Sequence, residues 1–389
     1  MLFQSFVDSY RYNSRLLGMK IALLYKANNL HLINRAKLFT SEGHEVYYFG
    51  FLPKERVSDE DLPGLYRINI PEFPFFPDKL YKLNLLYRVL WIYQHAKEFS
   101  FDVLYVQGAG YGFLSILFPK KIVILEHMGS DVIILASKSY LRRFIYRLGY
   151  RNIDAVVQDS RLAQTKGIEY GAPEHNNFII NVGIDHSVFN NNIEKGVAKL
   201  RFGIEKDTKV IFSPRSITKL YNIDIIVAAI PLVIEEYADV RFVFSAHALD
   251  QEYFDLIMKN DYKDYIIIAG SLDNNVELPY MYADSDMVLS VPSSDSSPLT
   301  VYEAMACHVP VIVSDIDWYK DNFISGKHLL TVPVRDEIAL SQRILDILNE
   351  KESLDLIDAR RITFEHFDYK KENLKLVTLM DNLIQKKEH

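Results

Sequence analysis

The chain has 389 residues, enough for two domains, and its 49% apolar and 24% charged residues are those of an ordinary globular protein. A single cysteine, Cys307, excludes an internal disulfide framework and a cysteine-built zinc cage and points to a reducing, cytoplasmic compartment. The net charge of −7 argues against nucleic acid as a partner, and no apolar run reaches the roughly 18 residues of a spanning helix.

Residues 1–18 carry Asp8, Arg11 and Arg15, lack the apolar segment of a signal peptide, and read as an extension ahead of Met19. Residues 20–25 form an apolar run typical of a buried parallel strand. Residues 29–41 place Leu30, Ile33, Ala36 and Phe39 at helical spacing, with Gly43 as a stop. A strand is expected at 45–49. Residues 52–78 hold five prolines and read as loop with short elements. Residues 79–99 follow as a long amphipathic helix. Strands at 103–106 and 122–125 each run into a glycine-containing loop, and strands at 154–157 and 177–180 close the series. Gly108, Gly110 and Gly112 lack dinucleotide-binding spacing and read as a close-approach loop.

A second series of strands and helices starts after residue 195. Strands are expected at 210–212, 241–245, 265–268, 287–291 and 311–313, with helices near 222–237, 250–259 and 276–283 and over most of 336–386. Strand–helix alternation in two series implies two doubly wound parallel domains of the α/β class. The polar stretch 190–196 marks the boundary.

Residues 290–315 are the most informative stretch. They read as strand end, polar loop, helix and strand. The loop holds Ser293, Ser294, Asp295, Ser296 and Ser297 before Pro298, and the helix start is flanked by Asp295 and Glu303. A polar loop between a strand end and a helix start is where an α/β protein binds anions. An acid pair beside a phosphate site suits a ligand with both phosphates and hydroxyls. Arg215 and Lys219 follow the first strand of the second series, where two cations suit a phosphate group. Asp284 and Asp286 precede a buried strand and read as structural. Residues 141–151 hold four arginines interleaved with aromatics. Together with residues 1–190, which carry 22 Lys and Arg against 18 Asp and Glu, they suit peripheral docking on a membrane, although a core-facing helix with a solvated basic face is the preferred reading.

Taken in order, Gly43 to Val46, Gly129 to Asp131, Asn181 to Phe189, Arg215 to Lys219, Ser290 to Asp315 and Ser325 to Leu330 resemble the retaining family-4 glycosyltransferases. These enzymes have the GT-B fold and belong to the glycosyl transferases of group 1. The resemblance covers nearly the whole chain from Met19. It implies two Rossmann-like domains with a cleft between them: residues 19–190 for the acceptor, residues 191–365 for the nucleotide sugar, and a helix over 366–389 crossing back to the first domain. The family's Glu-x7-Glu signature appears here as Asp295-x7-Glu303.

By that resemblance, Glu303 takes the ribose hydroxyls and Asp295 the sugar hydroxyls. The backbone of Ser296, Ser297, Pro298, Leu299 and Thr300 faces the diphosphate, Arg215 and Lys219 neutralise it, and Gly270 and Ser271 meet the base. His127 is the candidate beside the reacting carbon, and Gly110, His31 and Asp131 lie on the acceptor side. The partners implied are a nucleotide sugar and a glycan, lipid-linked or small-molecule acceptor, in assembly of a polysaccharide or other glycan. No metal or other cofactor is expected, and the cytoplasm or the inner face of its membrane is the expected location. The chain departs from the family in the loop before Pro298, which lacks the usual glycine, in the Arg215 to Lys219 spacing, which is one residue shorter, and at three further places. Asp295 is one CH₂ shorter than the usual acid, Tyr221-Asn222 replaces a Lys-Gly, and His308 stands where glycine is usual. A non-catalytic sugar-nucleotide or glycan-binding partner of an active transferase is the alternative that the departures at Asp295 and His308 motivate.

Overall fold

Strand–helix alternation is realised as two parallel sheets in a chain that divides into two compact units. The computed structural model describes residues 18–25, 30–50, 65–69, 87, 90–91, 93–95, 100–118, 121–273 and 275–388. The N-terminal extension and most of the helix expected at 79–99 lie outside these residues; positions 87, 90–91 and 93–95 are helical. The first unit comprises residues 1–158, 164–178 and 377–389, and the second comprises 159–163 and 179–376.

In the first unit the elements run β1 (Lys20–Tyr25), α1 (Leu30–Ser41), β2 (Glu45–Gly50), β3 (Leu65–Asn69), β4 (Val103–Gln107), a 3₁₀ helix (Ala109–Leu117), β5 (Ile122–Glu126), a π-helical turn (Asp131–Leu135), α2 (Tyr140–Tyr150), β6 (Ala155–Gln158), α3 (Arg161–Glu169) and β7 (Asn177–Ile179). The sheet order is β3-β2-β1-β4-β5-β6-β7, and the pairings from β3 through β6 are parallel. The order reverses between β1 and β4, the switch point at which open α/β sheets bind ligands. β4 and β5 are buried along their whole length because helical layers cover both faces of such a sheet.

The second unit runs α4 (Val197–Arg201), β8 (Lys209–Ser213), a 3₁₀ turn (Lys219–Tyr221), α5 (Ile223–Ile234), β9 (Val240–Ser245), α6 (Gln251–Ile257), β10 (Ile266–Gly270), α7 (Glu277–Ala283), β11 (Met287–Ser290), α8 (Leu299–Ala306), β12 (Val311–Ser314), β13 (Leu330–Val332), α9 (Glu337–Leu348) and α10 (Leu356–His366); of α11 (Tyr369–Glu388), residues up to 376 belong to this unit and those from 377 on to the first. Its sheet order is β10-β9-β8-β11-β12-β13. Successive side chains of a strand point to opposite faces, and here both faces are apolar. Val210, Phe212, Val288, Val311 and Val313 join one core cluster, with Val301, Met305, Ala359 and Ile362 of α8 and α10. Ile211, Met287, Leu289 and Ile312 join the other, with Ile226, Ile230, Leu340 and Ile344 of α5 and α9. Burying one such aliphatic side chain contributes about 1.5–3 kcal/mol.

Asp284 and Asp286 hold backbone together. Asp284 accepts from the N–H groups of Gly196, Ala198 and Lys199 at the start of α4, and Asp286 accepts from Val210 N–H and Lys209 Nζ. Gly183 sits at φ +76°, and Ile184 beside it exchanges backbone hydrogen bonds with Phe367 and Tyr369. A Cβ at Gly183 would stand 2.6 Å from Tyr369 Cα. Gly183→Ala therefore meets both left-handed strain and a clash with backbone, and is expected to cost about 3 kcal/mol. Denaturant unfolding checks this; an unchanged midpoint would contradict it.

Candidate active site

β8 and β11 are adjacent where the order of the second sheet reverses, so the loops leaving Ser213 and Ser290 emerge side by side. Backbone and side-chain bonds stitch them together. Ser293 N–H donates to Leu220 O at 2.9 Å, Asn222 Nδ2 donates to Val291 O at 2.9 Å, and Ser293 Oγ donates to Asn222 Oδ1 at 3.1 Å. Asn222 lies at φ +50° and His308 at φ +63°. Both positions where the expected pattern has glycine thus keep the left-handed backbone that glycine serves best.

The second loop leads into α8, with Pro298 at its N-cap and no side chain capping it. By contrast, Asp250, Asp336 and Asp355 cap α6, α9 and α10. Four N–H groups at a helix start lack partners within the helix. An uncapped start at a switch point offers donors and a positive dipole end to an anion.

Arg215 faces this helix start. Its Nη1 donates to Thr300 Oγ1 at 2.9 Å, its Nη2 to Asp295 Oδ2 at 2.6 Å, and its guanidinium lies 4.3 Å from the Tyr221 ring centroid. Burial works against its charge, but Asp295 and the neighbouring tyrosines hold its pKa above the ordinary value. Lys219 is exposed on the 3₁₀ turn at the end of the same loop.

Glu303 projects from α8 into the interior and is 8% exposed. Tyr282 Oη donates to its Oε2 at 2.8 Å. Burial pushes the carboxyl up to about 7, with the Tyr282 hydroxyl and the Arg215 charge pulling it down. Its proton is therefore exchangeable near neutrality.

The loop serines are committed to their neighbours. Ser296 Oγ donates to Asp159 Oδ1 at 2.6 Å and lies 2.6 Å from Ser160 Oγ. Ser297 Oγ accepts from Asn181 Nδ2 at 2.5 Å and lies 3.2 Å from Tyr302 Oη. Gly270 closes β10 at φ +72° with space around it, and Ser271 Oγ lies 2.9 Å from His247 Nδ1. Their hydrogen bonds run to the end of β9, at Ala246 and His247, and not to α8.

In the first unit, the strand ends hold a buried polar cluster. Arg35 Nη2 donates to Glu126 Oε1 at 3.0 Å, and Gln107 Nε2 to Glu126 Oε2 at 2.7 Å. His127, expected beside the reacting carbon, is 2% exposed. Its Nε2 shares a 2.9 Å hydrogen bond with Tyr150 Oη, and a Cβ on Gly167 would come within 2.5 Å of its ring. Burial lowers its pKa, favouring the neutral ring. This is a packed position. Asp131, expected on the acceptor side, accepts from Ala109, Met128 and Val132 N–H and so holds its own loop. The Gly108 to Gly112 segment is not a loop but the start of the 3₁₀ helix. Its close approach is to α2, where a Cβ on Gly149 would stand 2.8 Å from Gly112. Gly110 faces Tyr146, and His31 is the second residue of α1. Among the described residues, no group of three or more His, Cys, Asp or Glu is placed to hold a metal ion.

Residues 29–188 match the family described as Glycosyltransferase Family 4, and residues 197–361 match Glycosyl transferases group 1. The chain belongs to the family-4 glycosyltransferases of the GT-B fold. A curated relative, N-acetyl-alpha-D-glucosaminyl L-malate synthase of Bacillus anthracis, is 22% identical over 328 residues, covering 81% of this chain and 83% of the relative. The HepE protein of Anabaena, solved in complex with UDP and glucose, superposes with a TM-score of 0.77 at 17% identity, covering 94% of this chain and all of that one. Sucrose-phosphate synthase from Thermosynechococcus elongatus gives a TM-score of 0.77 at 16% identity, covering 95% and 100%.

Several residues that touch the candidate site residues of this glycosyltransferase were not legible in the sequence. Tyr282 lies 21 positions before Glu303, and nothing in its surroundings marks a buried hydroxyl aimed at a carboxylate. Asp159 and Ser160 precede α3, a helix the periodicity did not announce. The Tyr221 ring beneath Arg215 was visible only as a departure from pattern.

Proposed function

We propose that this glycosyltransferase moves a hexose from a nucleotide sugar to a hydroxyl of a glycan, lipid-linked or small-molecule acceptor, with retention of configuration. The observation that carries this reading is the uncapped start of α8 between Arg215 and the buried Glu303. In it, Glu303 accepts the ribose hydroxyls, since charged acceptors make the stronger hydrogen bonds. The α8 N–H groups and Arg215 take the diphosphate, and Lys219 adds a point charge. These groups stabilise the charge that develops as the bond from the sugar's anomeric carbon to the phosphate oxygen breaks. The acceptor oxygen attacks on the same face and its proton passes to the departing phosphate.

No protein nucleophile is needed in this scheme, and the candidates near α8 suit none. Asp295 is paired with Arg215, and the Cys307 thiol is buried and pushed up to about 12. With two cations and a helix start on the diphosphate, the reading requires no metal. The Anabaena relative's UDP makes UDP-sugars the first donors to try. Thermal shift against UDP-, GDP-, ADP- and dTDP-sugars tests the reading, because a ligand of the native state raises the melting temperature. One class should stabilise the protein, and no shift with any of them would refute the donor site.

A lipid surface fits the first unit as the place where the acceptor is met. Tyr140, Leu141 and Phe144 of α2 are 86%, 68% and 58% exposed. Lys138, Arg142, Arg147 and Arg151 are exposed beside them, and no Asp or Glu occurs between Asp131 and Asp154. Apolar side chains ringed by cations suit an anionic bilayer face. Among the described residues no helix is long and apolar enough to cross a membrane. Sedimentation with phosphatidylglycerol-containing vesicles should pull the protein down at low salt, and phosphatidylcholine alone should not. Replacing Tyr140, Leu141 and Phe144 with serine should abolish the effect. Equal sedimentation of this variant and the wild type would contradict it.

A further inference from the structure

The shorter acid at Asp295 does something the spacing did not suggest. Its Oδ2 receives Arg215 Nη2 at 2.6 Å, and its Oδ1 receives the N–H of Ser296 at 2.8 Å. Both side chains of the pair are largely buried, at 10% and 14% exposure. The carboxylate therefore occupies the cation that, on the reading above, receives the diphosphate. Two anions cannot share one guanidinium in a partly buried site without strong repulsion.

Arg215 does not depend on Asp295 for its place. Thr300 Oγ1 at 2.9 Å and the Tyr221 ring at 4.3 Å hold it from two other directions. If the carboxylate leaves, two of the three restraints remain. Asp295, by contrast, has only the Ser296 N–H to keep it once Arg215 is taken. A diphosphate carries more charge than a carboxylate and also gains the N–H groups at the start of α8, so the exchange favours the ligand.

We propose that Asp295 competes with the donor for Arg215: donor binding exchanges the carboxylate for the diphosphate on the guanidinium, and only then is the carboxylate free to meet the sugar. The inference rests on the donor-site reading. It makes Asp295 a rival of the diphosphate for Arg215 before it is a sugar contact, and it couples recognition of the sugar to seating of the diphosphate.

The test is calorimetric titration of UDP, which has no sugar to contact, and of uridine, which has no phosphate. Asp295→Asn is isosteric, and its unliganded melting temperature reports whether the fold is intact. Exchange predicts that Asp295→Asn binds UDP about tenfold more tightly than wild type, because a buried like charge is removed. Uridine affinity should stay the same, and Asp295→Glu should bind UDP as wild type does. A merely structural role would weaken UDP and uridine together. Unchanged or weaker UDP binding by Asp295→Asn overturns the proposal. Persistence of the gain in an Arg215→Ala background also overturns it, since the effect would then not run through the pair. Should wild type bind none of UDP, GDP, ADP and dTDP, the donor-site reading itself fails.

Discussion

Arg215→Ala should lower kcat by about a hundredfold to a thousandfold, the usual loss when a fixed donor to developing charge is removed. The wild-type guanidinium is held by Thr300 and the Tyr221 ring, the two restraints that remain when a diphosphate takes the place of Asp295. It reaches the transition state without reorganising, which is why the loss falls on kcat and not only on KM. Arg215→Lys restores a charge but neither the planar fork nor the stacking, so recovery should be partial. Initial rates of nucleoside diphosphate release measure both variants. A kcat for Arg215→Ala within a few-fold of wild type would remove Arg215 from the chemistry.

Glu303→Gln should separate function from stability. Burial pushes the wild-type carboxyl up to about 7, from an ordinary 4.5, against the opposing pull of the Tyr282 hydrogen bond. A carboxylate is the form that accepts two ribose hydroxyls. Donor affinity should therefore be full at pH 8 and fall by up to about tenfold per unit as pH drops below 7. The glutamine variant should bind at least about tenfold more weakly at pH 8 and lose this dependence, since a neutral acceptor forms weaker bonds. Stability should move the other way. With the folded pKa above the unfolded one, the folded chain holds the proton more tightly. Glu303 thus lowers stability progressively between pH 4.5 and 7, and the deficit is complete above 7. Removing that charge should stabilise the protein by about 2 kcal/mol at pH 8 and by little at pH 4.5. Donor titrations and denaturant unfolding at both pH values check the two halves independently.

The strands were the most legible part of this chain because buried parallel strands are unbroken apolar runs. Val210 to Phe212 and Met287 to Leu289 feed clusters on both faces of one sheet, so their hydrophobicity carries no ambiguity. β3 at Leu65–Asn69 and β13 at Leu330–Val332 are short sheet-edge strands, and neither was singled out. The strand–loop–helix at 287–306 was legible for a local reason, since turn residues and an acid pair sit beside an apolar run.

Partnerships across long sequence distances were not legible. The sequence shows Asp295 and Arg215 but not that they touch, because 80 residues separate them. Glycine replaced by Asn222 and His308 reads as loss of a feature, yet both keep a left-handed backbone. His127 and Asp131 show how little a polar residue after a strand says of its surroundings. Only the structure places one against Tyr150 and Gly167 and gives the other three backbone N–H groups to hold. Gly110 and Gly112 lie against α2, beside Tyr146 and Gly149.

The most direct test is to incubate the protein with each of UDP-, GDP-, ADP- and dTDP-glucose, with water as the default acceptor, and to follow nucleoside diphosphate by ³¹P NMR and the freed sugar's anomeric proton by ¹H NMR. The account predicts slow release from one donor class, lost in Arg215→Ala and reduced in Glu303→Gln, with the sugar freed first as the anomer the donor carried. Saturable binding of a donor without release by wild type would contradict it and mark the chain as a binding partner of an active transferase.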